Sequence, residues 1–436
     1  MKLSLFNYII HYNSRTYLFN SYRLGLHEIN ENVTTSLEML NRQEQGWDSN
    51  LSEDERDSLV RAGYVVDGDL NEHEEIRRER EMNRLSFREV SLTIAPTMDC
   101  NFRCPYCFEG EHKSHMRMSQ AIMNATADFA AKLIRQDTEV LRVTWFGGEP
   151  LMALTQIEKL TNMLRAITAE QGVRYEAGII SNGYGLTRKT ALRLRNLGVT
   201  SAQVTVDGMQ RYHDARRFKA GGLSTFHRVV DNIAQSSDLI RISVRVNLDT
   251  ENRDSFSELV KHLNVELGLK NRITIYPAFM RDRGDTKWLP AYASNDQFVK
   301  DRIDIHQRSA PFGTKVMDYP KRVVLYCGSS RPSWWTIAPN GDLHKCWDTI
   351  NSKADSVGNV ISGIDPVGVQ KWTEWSPLDN AYCLACKELP LCMGGCAHTA
   401  FTYNDGVPEC ADWKYSLQAS LREWVSQQAR IAENDL

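Results

Sequence analysis

Between Glu89 and about Lys315 the chain alternates short β-branched runs with amphipathic stretches of helical period. The runs Val90–Ala95, Val140–Phe146, Tyr175–Ile180, Ala202–Val206, Ile240–Asn247 and Ile273–Phe279 read as strands. Ser119–Arg135, Met152–Glu170, Thr187–Leu197, Thr225–Gln235 and Ser255–Leu267 read as the helices between most of them. Strand-then-helix repetition predicts an α/β fold, a parallel sheet with helices outside. In closed sheets of this kind chemistry gathers on the loops at the C-terminal ends of the strands.

The flanks follow other patterns. In residues 1–88, Phe6–Tyr12 and Thr16–Asn20 alternate around Asn13-Ser14-Arg15, a hairpin signal, and Tyr22–Ile29 reads as a third strand. Thr34–Arg42 is a helix candidate. A second starts at Ser52 with Glu55 three residues on, a capping box, and ends near Gly63 before the short strand Tyr64–Val66 and the Asp67-Gly68 turn. Strands, helices and a returning strand suggest a small winged helix-turn-helix. Asn71–Arg84 is almost wholly charged and reads as a solvated linker helix. Residues 316–436 hold a hairpin signal, Pro339-Asn340-Gly341 between Trp334–Ala338 and Asp342–Trp347, and an amphipathic closing helix over Trp413–Ala429.

A chain of 436 residues has room for two or three domains. The net charge of −3 and the 25% of charged residues give no basic surface for nucleic acid or an anionic membrane. No apolar run reaches membrane-spanning length, and no signal peptide is visible at the start, so a cytoplasmic location is expected. In a reducing compartment the ten Cys are expected to hold metal rather than disulfides.

Three of those Cys lie in one loop, Cys100-x3-Cys104-x2-Cys107, directly after the first strand of the α/β segment. Three thiolates so close can hold three irons of a four-iron cluster and leave the fourth open to a small chelating molecule. Three Cys alone are equally open to zinc, with His112 or His115 as the fourth ligand. The residues at the ends of the later strands favour the cluster. Gly147-Gly148-Glu149-Pro150 stands after the second strand, where two glycines let backbone approach a ligand closely. Ser181-Asn182-Gly183 comes after the third strand and Val206-Asp207-Gly208 after the fourth. Arg245 and Asn247, two apart on the fifth, project to one face.

The triplet, with the motifs in register behind it, resembles the radical S-adenosylmethionine (SAM) superfamily. The resemblance implies a partial (β/α)6 barrel in which Cys100, Cys104 and Cys107 ligate the catalytic [4Fe-4S] cluster. It further implies that the cluster cleaves SAM reductively to a 5′-deoxyadenosyl radical. It assigns Gly147, Gly148, Glu149 and Pro150 to the SAM amine, Ser181 and Asn182 to the ribose, and Tyr106 and Phe108 to the adenine. Plain packing competes for the two aromatics, and helix capping for Ser181. Asp207 is a candidate for contact with SAM or substrate. Arg245 is a candidate for the SAM carboxylate or for an internal salt bridge, and His213 is equally a structural loop residue.

The other seven Cys run Cys327-x13-Gly341-x4-Cys346, then Cys383-x2-Cys386-x5-Cys392-x3-Cys396-x13-Cys410. Four Cys in the middle cluster could alone be a zinc ribbon, but the full set resembles the SPASM domain at every spacing. That resemblance implies two auxiliary [4Fe-4S] clusters: Cys383, Cys386, Cys392 and Cys410 close one, and Cys327, Cys346 and Cys396 hold the other with one iron open. Gly328–Trp335 has no further Cys to fill the opening, which leaves it to a substrate thiolate, another side chain or water. All ten Cys are then used.

The N-terminal segment resembles the peptide-binding winged helix of radical-SAM peptide maturases, the RiPP recognition element, and its excess of acids argues against DNA. The implied organisation is a leader-recognition domain over 1–88, the barrel over 89–315 and the SPASM domain over 316–436. The expected function is modification of a ribosomally made precursor peptide by hydrogen abstraction, forming a thioether or carbon–carbon cross-link. Its partners would be the precursor, held through its leader, and an external electron donor of flavodoxin or ferredoxin type. Two alternatives stand beside it. One is a sulfatase-maturing type that makes formylglycine, which leaves the N-terminal segment unexplained. The other is an iron–sulfur DNA-binding regulator, which leaves the Gly147–Pro150 motif without a purpose.

Overall fold

The computed structural model describes residues 1–107, 109, 116–280, 291–292, 294–314 and 319–434. The chain forms two compact units, each discontinuous in sequence. One comprises Met1–Arg84, Met317–Cys327 and Trp375–Leu436, and the other Leu85–Val316 and Gly328–Glu374.

The first unit starts with β1 (Lys2–Leu3), β2 (Asn7–Tyr12), β3 (Arg15–Asn20) and β4 (Leu26–Ile29). β2, β3 and β4 form an antiparallel sheet with β3 central. The expected strand Tyr22–Ile29 is cut to its second half. The Asn20 side-chain oxygen accepts from the amides of Tyr22 and Arg23 at 2.9 and 2.7 Å, and Leu24 adopts φ +63°, so the chain turns before it can pair. Helix Glu31–Asn41 starts before the expected Thr34 because Asn30 caps it, accepting from the Val33 amide at 2.9 Å. Helix Glu53–Arg61 carries the expected capping box at Ser52 and Glu55. The returning strand, β5 (Val65–Val66), pairs antiparallel with β1 rather than with the hairpin.

Helix Glu72–Arg84 is not the solvated linker that its composition suggests. Glu72, Ile76 and Arg80, four apart, form a buried stripe. The Glu72 carboxylate accepts from Ser4 Oγ at 2.6 Å and the Leu5 amide at 2.8 Å. Arg80 donates to the Trp375 carbonyl at 2.6 Å, Arg77 to that of Leu378 at 2.9 Å, and His73 Nε2 lies 2.9 Å from that of Leu384. The helix therefore docks on the Cys-rich C-terminal stretch. Phe6, Tyr22 and Ile76 share one apolar core with Leu378, Leu389 and Met393. Tyr8, Ile10 and Phe19 share another with Leu391, Leu417 and Leu421, the last two on helix Trp413–Asn434.

The second unit is an α/β core around one large sheet. β6 (Glu89–Ile94), β7 (Val140–Trp145), β8 (Arg174–Ser181), β9 (Val199–Thr205), β10 (Arg241–Leu248) and β11 (Ile273–Phe279) run parallel in sequence order, as a partial barrel requires. The sheet does not stop at six strands. β12 (Trp334–Ile337) adds in parallel to β6, and β13 (Leu343–His344) folds back on β12 as the expected hairpin, for eight strands in all. Val90, Leu92, Ile94, Leu141, Val143, Val204, Val244 and Val246 are buried, and they alternate along their strands with polar positions, among them the less buried Thr93, Arg142, Gln203 and Ser243. The expected helix Ser255–Leu267 is α-helical to Lys261 and then widens into a π-helical turn, His262–Glu266. Among the described residues no helix is long and apolar enough to cross a membrane.

Because Phe19 is fully buried between β2 and the C-terminal helix, Phe19→Ala is expected to cost about 3–5 kcal/mol. Chemical denaturation measures this. Limited proteolysis should show residues 375–428 becoming cleavable together with residues 1–84, whereas an independent N-terminal domain would unfold alone.

Candidate active site

Cys100, Cys104 and Cys107 leave the C-terminal end of β6 on a loop that other strand ends hold in place. The Gly148 amide donates to the Thr97 carbonyl at 3.2 Å and the Glu149 amide to that of Asp99 at 2.8 Å. Gly147 has φ +111°, and a Cβ on Gly148 would lie 2.4 Å from the Met98 carbonyl oxygen, so this approach requires glycine at both positions. On the opposite side the Arg103 amide donates to the Phe218 carbonyl at 2.8 Å, and Phe102 bridges to Lys219. Cys100 is buried, and its sulfur accepts from the Phe102 amide at 3.4 Å.

The residues after the second and third strands meet directly behind the loop. Glu149, 1% exposed, accepts from Ser181 Oγ at 2.8 Å, the Asn182 amide at 2.7 Å and the Leu151 amide at 3.0 Å. Burial pushes its carboxyl above the usual range, and these three donors oppose the push. The Asn182 side chain donates to Asn101 Oδ1 at 2.7 Å and points at Cys100 Sγ from 4.0 Å. The Gly147–Pro150 and Ser181–Asn182 motifs are thus brought together with the Cys loop.

A second group forms around Tyr106. Its hydroxyl donates to Asp207 Oδ2, accepts from Arg217 Nη1 at 2.6 Å, and lies 3.4 Å from Asn247 Nδ2. Burial drives the Tyr106 hydroxyl well above its ordinary value, with Arg217 opposing and Asp207 adding. Burial likewise raises Asp207, against Arg217. Burial works against a charge on Arg217, but Tyr106, Cys104 and Asp207 around it hold its guanidinium charged. Asp207 Oδ1 and Arg217 Nε are buried without a hydrogen-bond partner among the described residues. Arg245 donates from Nε to Asn247 Oδ1 at 3.0 Å and makes no ion pair among the described residues, so the internal salt bridge is not formed. His213 takes the structural option. It is buried, its Nδ1 faces the Asp207 amide at 3.4 Å and its Nε2 lies 3.0 Å from Thr225 Oγ1. Burial, then Arg217, lowers it to about 3, so the ring is neutral. Phe108, His112 and His115 lie outside the described residues.

Two residues that the motifs did not indicate tie the floor of this group. Asp249 takes Arg216 in a buried ion pair at 2.7 and 3.3 Å and accepts the Glu251 and Asn252 amides. Asn252 donates to the carbonyls of Asp207 at 3.2 Å and Asn247 at 2.8 Å, joining the ends of β9 and β10. The Asp-x2-Asn spacing just past a strand is a turn signal that could have marked them.

In the first unit, Cys383, Cys386, Cys392 and Cys410 line one small cavity with Tyr382, Glu388 and Lys414. The turn Met393-Gly394-Gly395, all at positive φ, bends the chain back, and a Cβ on Gly395 would meet the Glu409 carbonyl at 2.1 Å. The Ala411 amide points at Cys392 Sγ from 3.4 Å. Burial pushes the Cys383 and Cys386 thiols up to about 11. Among the described residues no three His, Cys, Asp or Glu side chains converge as ligands of a single metal ion. Four thiols spread around a cavity, with an amide directed at sulfur, fit a cluster. Cys396 is absent from that lining; it and Cys327 belong to the first unit and Cys346 to the second.

The second unit is thus a radical-SAM-like α/β core, and the Cys-rich helical stretch belongs to the first unit. Residues 94–263 match the family model described as the Radical SAM superfamily. GTP 3′,8-cyclase of Klebsiella pneumoniae is 28% identical over 187 residues, 40% of this chain and 53% of the cyclase. The chain thus spans about half the length of that relative. The radical SAM cyclopropyl synthase TigE of Paramaledivibacter caminithermalis is 20% identical over 381 residues, 81% of this chain and 74% of TigE. Among solved structures, anSMEcpe with bound AdoMet shares the fold at TM-score 0.57 and 16% identity, over 79% of this chain and 100% of that one. Streptococcus suis SuiB does so at 0.53 and 14%, over 94% of this chain and 98% of SuiB.

Arg216→Met leaves Asp249 charged and buried, and is expected to cost about 3–5 kcal/mol in chemical denaturation. Adding Asp249→Asn should recover part of the loss, because the amide oxygen still accepts from the two backbone amides.

Proposed function

We propose that the protein is a radical-SAM enzyme that modifies a ribosomally made precursor peptide. The observation that carries the proposal is the convergence of the Cys100-Cys104-Cys107 loop with Glu149, Ser181 and Asn182 at the C-terminal ends of parallel strands. A cluster bound there supplies one electron to SAM and thereby the 5′-deoxyadenosyl radical that takes hydrogen from a substrate C–H bond.

This chain's residues do the holding. Cys100, Cys104 and Cys107 are the proposed ligands. The close-packed Gly147-Gly148 backbone and Glu149 shape the place for the SAM amine, and Arg245, unpaired by any described carboxylate, suits the SAM carboxylate. Arg217 and Asp207 clamp Tyr106 beside the ligands, and their unpartnered atoms Nε and Oδ1 are available to a bound polar group. The two auxiliary clusters are assigned to the remaining seven Cys, and the donor of electrons to a flavodoxin- or ferredoxin-type protein.

Two observations favour a peptide substrate. The fold shared with SuiB extends over 94% of the chain, and SuiB has been captured with its precursor peptide SuiA, at TM-score 0.50 to this chain. The three-stranded sheet ends in β4, a half-exposed edge strand to which an extended leader can add by backbone hydrogen bonds. A thioether or a carbon–carbon link is the proposed product.

After anaerobic reconstitution with iron and sulfide, dithionite should drive cleavage of SAM to 5′-deoxyadenosine. The Cys100→Ala/Cys104→Ala/Cys107→Ala variant should lose that activity and keep the iron of the auxiliary centres. Cleavage that survives in the triple variant overturns the reading. For the leader, hydrogen–deuterium exchange with a synthetic leader peptide should slow at Leu26–Ile29. Protection confined to other segments removes the sheet edge as the recognition site.

A further inference from the structure

The four-cysteine cavity has a surrounding shell that sulfur spacing alone does not call for. Glu388 Oε2 accepts from the Cys386 thiol at 3.0 Å. Lys414, in the first turn of helix Trp413–Asn434, places Nζ 3.5 Å from Cys386 Sγ and 3.2 Å from Glu388 Oε2. Tyr8 reaches the same point from β2. Its hydroxyl is buried with no hydrogen-bond partner among the described residues, and its ring lies 5.5 Å from Nζ of Lys387, the residue before Glu388. The neighbouring Asn7 carbonyl accepts from Lys387 at 2.9 Å, so β2 is bound to the loop that carries Cys386 and Glu388.

We infer that Lys414, Glu388 and Tyr8 are positioning residues that set the reduction potential of a cluster at Cys383, Cys386, Cys392 and Cys410. Through Tyr8 the N-terminal sheet becomes part of that centre. The inference rests on the reading of those four Cys as cluster ligands.

When iron takes the Cys386 sulfur, the thiol proton leaves to solvent, and the bond that joined sulfur to Glu388 is lost. A thiolate and a carboxylate 3.0 Å apart repel, so the site needs a cation or a second donor. Lys414 already bridges both partners. The carboxylate can turn from the sulfur toward Lys414 and toward Tyr8, whose hydroxyl is buried without a hydrogen-bond partner among the described residues. An ammonium and an amide directed at the sulfurs stabilise the more negative, reduced cluster and raise its potential. Removing Tyr8's hydroxyl sends the carboxylate back toward sulfur and lowers it.

The test uses full-length, reconstituted protein, with iron content measured first and each cluster titrated by EPR-monitored reduction. Lys414→Gln is expected to keep its iron and lower the midpoint of one auxiliary cluster, with the SAM-cleaving cluster unmoved. Tyr8→Phe, a mild change, should shift the same midpoint the same way by less, and Lys414→Arg should restore it toward wild type. Fully loaded Lys414→Gln and Tyr8→Phe proteins with wild-type midpoints overturn the inference and leave the cluster assignment standing. If Cys383→Ala loses no iron, the cluster assignment fails, and the inference with it.

Discussion

A loop that carries three thiols between a strand and a helix has little hydrogen-bonded structure of its own, so its neighbours must fix it. Here the constraint is met backbone to backbone. Gly147 and Gly148 bring the second strand's loop against the carbonyls of Thr97, Met98 and Asp99, and a methyl group at Gly148 would overlap two of them. The segment Phe218–Lys219 closes the other side. Once the Cys loop and the Gly loop share one surface, Glu149 cannot face water, and its carboxylate becomes the junction to which Ser181 and Asn182 fasten the third strand. The order of motifs along the chain is thus one chain of contacts in space.

The same constraint explains the concentration of buried charge. A carboxylate or guanidinium removed from water is costly unless it is paired and hydrogen-bonded. Asp207, Arg217 and Tyr106 satisfy one another almost completely, as Arg216 and Asp249 do beneath them. The leftover capacity is small and localised at Asp207 Oδ1 and Arg217 Nε. A structural network with no further task has little reason to leave two such atoms unpaired, and the mouth of the α/β core is where a polar ligand would arrive.

Much of this was legible in the sequence because it is periodic or spaced. Most of the six parallel strands carry buried apolar residues at alternate positions and announce themselves as β-branched runs, and the Cys, Gly-Gly-Glu-Pro and Ser-Asn motifs fall at their ends. What was not legible depends on partners far away in sequence. Helix Glu72–Arg84 looks solvated because two of its three buried members are Glu72 and Arg80, whose partners are Ser4, Leu5 and the Trp375 carbonyl. β12 joins β6 in parallel some 240 residues later, which no local pattern reveals. Arg217 acquires its place from Tyr106, 111 residues earlier. Conversely, Tyr22–Ile29 alternates like a strand, but the Asn20 side chain outcompetes pairing over its first half.

The two sulfur centres are built on opposite principles. In the α/β unit, the strand ends of one large sheet and the segment Phe218–Lys219 hold the thiols. In the other unit, short turns hold them, with Gly395 pressed on the Glu409 carbonyl, and the rigidity has to come from outside. The N-terminal sheet supplies it: Tyr8, Ile10 and Phe19 pack on Leu391, Leu417 and Leu421, Ser21 donates to the Lys387 carbonyl, and Lys387 donates to that of Asn7. A segment that reads as a separate recognition module is therefore also the scaffold of a cysteine centre. The same packed side chains, Tyr8, Ile10 and Phe19, thus belong both to the N-terminal sheet and to the core that supports the loop of Cys386 and Cys392.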